Sequence, residues 1–167
     1  MGVLVTTVCL IGCAGWRDNG DTYYAGRSDG EAATYHFGLP GGDWRPVREL
    51  DDIQVAWVNP KLDGVGIIEL HAQCEEQGDS SLAQYTDHLR IDWDDWTIVE
   101  QEEAELIGRA ALRTVVDASL DGISRRNELW VVKKNGCLFD LRYSAGVADF
   151  QAGEAAFDSV VQGFRFP

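Results

Sequence analysis

The chain has 167 residues, of which 45% are hydrophobic and 25% charged, the balance of a folded globular protein with room for one core. Its 28 acidic residues against 14 basic ones give a formal net charge of −14. Such a surface repels phosphate backbones and anionic lipid head groups, which argues against nucleic-acid binding. Solubility outside the cytoplasm explains the excess of acid better than any acidic site does.

The first twelve residues carry no charge and are rich in Val, Leu, Ile and Thr. As a helix they would extend about 18 Å, which is short of the roughly 30 Å of a hydrocarbon core. We therefore predict that residues 1–12 are the hydrophobic region of a secretory signal, although the usual basic start is missing. A buried strand over residues 3–8 is the alternative, and the abrupt change to Gly, Asp and Asn after Cys13 argues against it.

The tetrapeptide Leu10-Ile11-Gly12-Cys13 resembles a bacterial lipobox. In that class of signal the Cys thiol receives a diacylglycerol and the peptide is cleaved before the Cys. We therefore predict lipidation at Cys13 and a lipid-anchored protein of the cell envelope that faces the periplasm. Because Ala14 stands where Asp would retain an enteric lipoprotein at the inner membrane, the outer membrane is the favoured destination.

A change in composition after the predicted signal divides the rest of the chain into two parts. Residues 13–34 are rich in Gly and Asp and follow neither a helical nor a strand period, which predicts a flexible acidic tether. Residues 35–167 are predicted to form the globular domain.

The first half of this domain predicts a hairpin followed by a helix. Val55 and Trp57 alternate with Gln54 and Ala56, the period of a half-buried strand, and residues 65–74 predict its partner. Ser81 and Gln84 have the spacing of a capping box, and the helix that they begin is predicted to end near residue 91.

The second half predicts a β-meander and a final helix. Strands are predicted over residues 109–118, 128–134 and 137–143, and Asp121-Gly122 and Asn135-Gly136 have the sequences of tight turns. The predicted inward-facing residues are Ala110, Leu112, Thr114, Val116, Cys137, Phe139, Leu141 and Tyr143. Phe150, Phe157, Val161 and Phe164 form the apolar stripe of the C-terminal helix.

Strands, helix, strands and helix in this order predict an α+β fold, an antiparallel β-sheet flanked by helices. The chain also resembles PsbP-like and DcrB-like domains in a strand that ends in Leu39-Pro40, in the segment from Gly108 to Arg113, and in a last helix that ends in Gly163-Phe164-Arg165. The resemblance implies a PsbP-like α/β/α sandwich. It also implies a binding or assembly protein with no catalytic residues to carry over.

Cys74 and Cys137 are the two cysteines that remain once Cys9 leaves with the signal and Cys13 is lipidated. Two thiols in an oxidising compartment usually pair, so we predict a disulfide between them. Both lie on the predicted inner face, which also suits two buried free thiols.

The sequence predicts no catalytic site, no cofactor site and no metal site. The three histidines, His36, His71 and His88, fall in separate elements, and residues 92–105 form an acidic run without the spacing of a calcium loop. A solvated edge strand explains this run better, because charges on an edge discourage pairing.

Trp93 and Trp96, each flanked by Asp, are the candidate partner contact. Because an indole among aspartates is costly to bury, at least one of the two rings is expected at the surface, and exposed aromatic rings are enriched at interfaces. Packing of one ring against the end of the helix is the alternative.

The leading hypothesis for the function is a non-enzymatic, envelope-anchored binding or assembly lipoprotein. Its expected partners are the membrane, through the lipid anchor, and another envelope protein. A chaperone that shields hydrophobic helices of type VI secretion effectors, and a hydrolase that uses the acidic run, are the alternatives.

Overall fold

The structure is a computed structural model that describes residues 22–26, 32–47, 55–62, 64–73, 80–91 and 93–166. Its strands are β1 (Thr22–Gly26), β2 (Ala32–His36), β3 (Arg45–Val47), β4 (Val55–Asn59), β5 (Gly66–Gln73), β6 (Asp95–Leu106), β7 (Arg109–Leu120), β8 (Ile123–Lys134) and β9 (Cys137–Ala145). Its helices are α1 (Leu82–His88) and α2 (Phe150–Gln162). Within the described ranges, no helix has the length and apolar character needed to cross a membrane.

Seven strands form one sheet in the order β3-β4-β5-β9-β8-β7-β6, and every neighbouring pair is antiparallel. The four long strands β6 to β9 follow one another as a meander. The last of them, β9, pairs with both β8 and β5 and so joins the two halves of the chain. The predicted antiparallel α+β fold is confirmed.

Three two-residue turns connect the strands of this meander. Both residues of each turn have positive φ, with 52° and 72° at Ile107-Gly108, 52° and 77° at Asp121-Gly122, and 51° and 78° at Asn135-Gly136. Asp-Gly and Asn-Gly are the usual sequences of such turns, and the sequence predicted both. The turn at Ile107 was not predicted, because a β-branched residue rarely has positive φ. Here the pairing of Leu106 with Arg109 imposes it.

The helix α2 covers one face of the sheet through an aromatic core. The rings of Tyr143 and Phe150 stack with centroids 4.8 Å apart, and the Tyr143 hydroxyl donates a 2.8 Å hydrogen bond to the Phe150 carbonyl. Burial, with a contribution from the Glu154 charge, raises the pKa of Tyr143 to about 12. The inward alternation predicted for β9 is confirmed, since Cys137, Phe139, Leu141 and Tyr143 all belong to this core.

The shorter helix α1 covers the opposite face. The predicted capping box is present, with the Ser81 hydroxyl accepting from the Gln84 amide and the Gln84 side chain accepting from the Ser81 amide. The helix ends at His88, three residues before the predicted end. Tyr85 packs on Val131 and Leu138. Since Leu138 and Phe139 are consecutive in β9, their side chains point to opposite faces, and the fold is an α/β/α sandwich.

Two predictions of burial need correction. The strand β4 was predicted to be half-buried, yet Ala56 is buried as fully as Val55 and Trp57, and it lies between Val47 of β3 and Glu69 of β5. Ala110, predicted to point inward, is exposed because it lies two residues from the β6–β7 turn, at the end of the sheet.

The region predicted as a tether contains regular structure. The strands β1 and β2 form an antiparallel hairpin in which Thr22 pairs with His36. The prediction that residues 13–34 lack strand structure is therefore wrong for these segments. His36 also exchanges two backbone hydrogen bonds with Arg165, of 2.7 and 2.9 Å, so the end of β2 is paired to the end of the chain.

Candidate functional site

The segment that carries Trp93 and Trp96 is held against the β7–β8 turn. The Asp94 amide donates to the Ser119 carbonyl at 2.9 Å, and the Asp121 amide donates to Asp94 Oδ2 at 2.8 Å. The Ser119 hydroxyl donates to Asp95 Oδ2 at 2.9 Å. Two of the carboxylates beside the tryptophans therefore serve as acceptors that fix the backbone between α1 and β6.

The two indole rings lie next to each other, with centroids 6.3 Å apart and planes inclined by 56°. Both rings are half-buried. Trp96 pairs with Ala118, so by strand alternation it shares a face with three aliphatic residues. These are Ile98, Leu120 and Ile123, with exposed fractions of 48%, 43% and 61%.

We call Trp93, Trp96, Ile98, Leu120 and Ile123 the tryptophan patch. It lies at the corner of the sheet where β6 begins and β7 turns into β8, on the α1 face. Single exposed aliphatic residues are ordinary, whereas five apolar side chains in one place are typical of a contact surface. The rim is acidic, because Asp94, Asp95 and Asp121 are all exposed.

The acidic run lies on β6, which is the edge strand of the sheet as predicted. Its carboxylates are divided between two faces. Glu100 and Glu102 approach Arg113 Nη1 at 2.9 and 3.4 Å. The buried Glu128 accepts a hydrogen bond from Arg113 Nε at 2.7 Å. Burial acts to lower the pKa of the Arg113 guanidinium, but the hydrogen bonds that it donates to Glu128 and Glu100 outweigh burial and raise that pKa above its usual range.

A buried polar cluster that sequence reasoning missed lies under α1. The Tyr85 hydroxyl donates to Asp140 Oδ2 at 2.7 Å, and His71 Nδ1 lies 3.3 Å from the same oxygen. Burial, together with the Asp140 charge, raises the pKa of Tyr85 above its usual range, so its hydroxyl remains a donor. The pairing of His71 with Asp140 across β5 and β9 sets this geometry, and no local pattern in either strand indicates it.

Asn127 is the second residue that sequence reasoning missed. It is fully buried on β8, opposite Ser144, and both polar atoms of its amide are buried without a hydrogen-bond partner among the described residues. The sequence signal that could have indicated Asn127 was a polar residue at an inward position of a strand. The burial of Asn127 depends on neighbouring residues of β7 and β9.

Metal binding finds no support in the described ranges, which contain no group of three or more His, Cys, Asp or Glu side chains able to hold an ion. Of the other predicted site residues, Cys137 is buried at the start of β9. Cys13 and Cys74 lie outside the described residues, so lipidation and the disulfide stay predictions.

The architecture is that of the PsbP-like class, a seven-stranded antiparallel sheet between two helices. No family model matches the chain, and no curated protein matches it, whereas solved structures do match it. LpqN, described as involved in cell envelope biogenesis of Mycobacterium tuberculosis, has a TM-score of 0.63 and 15% identity over 87% of this chain and 91% of LpqN.

Two further structures have the same fold. CyanoP, the cyanobacterial PsbP of Synechocystis sp. PCC 6803, has a TM-score of 0.57 and 13% identity over 94% of this chain and 99% of CyanoP. A Pseudomonas aeruginosa protein of unknown function, PA94, described as a putative regulator, has a TM-score of 0.50 and 12% identity over 86% of this chain and 95% of its own. At these identities the likeness establishes the fold, and the expected PsbP-like/DcrB-like architecture is confirmed.

Proposed function

We propose that this protein is a non-enzymatic binding or assembly protein of the cell envelope, held at the membrane by a lipid on Cys13. The observation that carries the binding role is the tryptophan patch, where two adjoining indoles and three exposed aliphatic side chains are held in place by hydrogen bonds to the β7–β8 turn. Aromatic residues in such surroundings are typical anchors of protein interfaces.

The envelope location is supported by two independent observations. The tetrapeptide that ends at Cys13 has the pattern of a lipobox. The fold is shared with LpqN, which is described as involved in cell envelope biogenesis. Neither observation favours the cytoplasm, where a chaperone of secretion effectors would act, so the envelope role is the better proposal.

The hydrolase alternative is weakened by the position of the acidic run. A hydrolase that uses two carboxylates needs them to converge on one bond. Glu100 and Glu102 lie on the face where they contact Arg113, whereas strand alternation places Glu103 and Glu105 on a different face from these two. Carboxylates on opposite faces of one strand do not form a shared site.

The anchor is tested by expression of the full chain and of Cys13→Ala in a bacterium with a lipoprotein pathway. We expect the native protein in the membrane fraction with a mass increase for the acyl groups, and Cys13→Ala in the soluble fraction. Identical partition of both proteins would contradict the anchor.

The binding surface is tested by a photo-crosslinking residue placed at Ile98 in living cells, with the same residue at Leu39 as the control. Leu39 is similarly exposed, at 44%, but lies outside the patch. We expect a discrete adduct from Ile98 that Trp93→Ala with Trp96→Ala abolishes while the melting temperature stays within a few degrees of native. The same adducts from both positions, or early melting of the double variant, would reject the patch as a contact surface.

A further inference from the structure

Among the strands that the structure describes, none covers the outer edge of β6. The strand β6 is last in the sheet order, and no strand of the described residues pairs with its outer side. Its twelve residues extend roughly 40 Å at about 3.4 Å per residue. An edge of this length offers a row of free backbone donors and acceptors to another extended chain.

The strand is divided chemically into two halves. The first half carries Trp96 and the exposed Ile98 and Val99, and the register shift at Val99 marks a β-bulge between the halves. The second half carries Glu100, Glu102, Glu103 and Glu105 and no basic residue.

The negative charge of the second half is only partly compensated. On one face, Glu100 and Glu102 share the single guanidinium of Arg113 with a third carboxylate, that of Glu128. On the other face, Glu103 pairs across the strands with Leu112 and Glu105 with Ala110, and neither has an ion pair among the described residues. The edge therefore keeps an excess of negative charge on both faces.

The negative charge of these glutamates determines which kind of strand can pair with the outer edge of β6. A second copy of β6 contains no Lys or Arg and so offers these glutamates no cation in any register, and its own glutamates, where they face the first set across the strands, are destabilising. A strand with Lys or Arg opposite the glutamates and apolar residues opposite the tryptophan patch would gain charge complementarity and apolar burial together.

We propose that β6 is a docking edge for an extended segment of another protein, basic in one half and apolar in the other, which adds to the sheet as an eighth strand. This inference rests on the proposed function, since it names the chemistry of the partner that the tryptophan patch contacts. The cations lie along Glu100–Glu105, the apolar side chains reach Trp96 and Ile98, and backbone hydrogen bonds join the two strands.

The probe is a synthetic twelve-residue peptide with a Lys-rich half and a Val-rich half, made in both chain directions, with a Glu-for-Lys version as the control. Binding is followed by the fluorescence of the tryptophans. We expect one direction of the Lys peptide to bind and the Glu peptide not to bind. The charge-reversed variant Glu103→Lys with Glu105→Lys should bind the Lys peptide about tenfold more weakly, or worse, and acquire affinity for the Glu peptide. Both substituted positions are exposed, so the melting temperature of the variant should stay near the native value.

Strand addition is separated from simple charge attraction by N-methylation of alternate peptide amides. In an antiparallel or parallel edge pair only one alternate set of amides faces β6, so we expect one methylated peptide to lose binding and the other to keep it. Equal binding by both methylated peptides, equal binding by the Glu peptide, or a homodimer formed through β6 would overturn the proposal.

The peptide result and the crosslinking result are independent. If an adduct forms at Ile98 in cells but no Lys peptide binds, the contact surface is retained and the basic extended partner is rejected. If the Lys peptide binds in vitro but no adduct forms at Ile98, the predicted preference of the β6 edge for a basic extended segment is supported, and the proposed cellular function is rejected.

Discussion

The Tyr85 hydroxyl lies 2.7 Å from Asp140 Oδ2 and joins α1 to β9 through a buried hydrogen bond. It is the polar contact between that short helix and the middle of the sheet, beside the apolar packing of Tyr85 on Val131 and Leu138. A helix of seven residues has little stability of its own, so such contacts decide whether it stays docked.

Tyr85→Phe keeps the ring and removes the hydroxyl. We expect a loss of about 1.5 kcal/mol in the free energy of unfolding, because the buried Asp140 carboxylate loses a donor. Urea unfolding of Tyr85→Phe, Asp140→Asn and the double variant should show a coupling of at least about 0.5 kcal/mol. Additive losses would mean that the two side chains do not interact energetically.

Gly153 should resist replacement by Ala, although Ala is the better helix former by about 1 kcal/mol. A Cβ built on Gly153 would lie 2.1 Å from the Tyr143 hydroxyl, so α2 could not remain in place. We expect a net loss of about 2 kcal/mol from overpacking. Ala155→Gly, on the exposed side of the same helix, should lose about 1 kcal/mol through propensity alone. Stabilisation by Gly153→Ala would show that the helix and β9 are not in contact there.

The Asn127 amide should be a destabilising group. Because both of its polar atoms are buried without a hydrogen-bond partner in the described part of the chain, we expect Asn127→Leu to raise the free energy of unfolding by about 1 kcal/mol. Thr114→Val is the control on the same face, since the buried Thr114 hydroxyl accepts a 3.1 Å hydrogen bond from Gln101, and it should lower stability. A loss of stability in Asn127→Leu would indicate that bound water satisfies the amide in solution.

Asp117 and Arg126 should make part of the stability depend on pH. Two hydrogen bonds from Arg126, of 2.7 and 2.8 Å, hold the pKa of Asp117 below its ordinary value of 3.8. The contribution of the pair is therefore complete above pH 3.8 and decreases as the pH falls through the lower folded-state pKa.

At neutral pH we expect Asp117→Asn to lose no more than about 1 kcal/mol, because both partners are partly exposed and screened by solvent. Urea unfolding at several pH values should show the difference from native shrinking towards zero in acid, whereas Asp158→Asn, exposed on α2, should show little difference at any pH. A difference that grows in acid would contradict the assigned ion pair.

Cys74 and Cys137 should be joined by a disulfide after export. The register of β5 and β9 ends with Gln73 opposite Leu138, and Cys137 is buried directly beside that last pair. We expect no free thiol at either position when the exported protein is denatured without reductant, and a linked peptide in mass spectrometry. Reduction should lower the free energy of unfolding by up to about 4 kcal/mol. Labelling of both thiols without reductant would make them buried free cysteines.

The features that could be predicted from sequence were those with a local cause. The capping box at Ser81 and Gln84, and the Asn135-Gly136 turn, follow from hydrogen bonds and φ preferences of a few consecutive residues. The strand predicted over residues 65–74 was also correct, and in β5 the residues Ile68, Leu70 and Ala72 are buried while those between them are partly exposed.

The features that could not be predicted depend on what another element places nearby. The turn at Ile107 is contrary to its local preference, and the pairing of β6 with β7 overrides that preference. By its period in the sequence Ala56 belongs to the polar side of β4, yet it is buried between Val47 of β3 and Glu69 of β5.

The sequence by itself determined the order of the strands and helices apart from β1 and β3, two of the three tight turns of the meander and the edge character of the acidic run. These follow from the period of apolar residues, from turn chemistry and from the free energy needed to bury charge. Only the tertiary structure decided that His71, Tyr85 and Asp140 meet. It also decided that the Asn127 amide is buried without a hydrogen-bond partner among the described residues. The assembly of the tryptophan patch from β6, β7 and β8 likewise depends on the tertiary structure. The physical reason is the register: strands far apart in sequence become neighbours, and a shift of one residue would send each of these side chains to the other face.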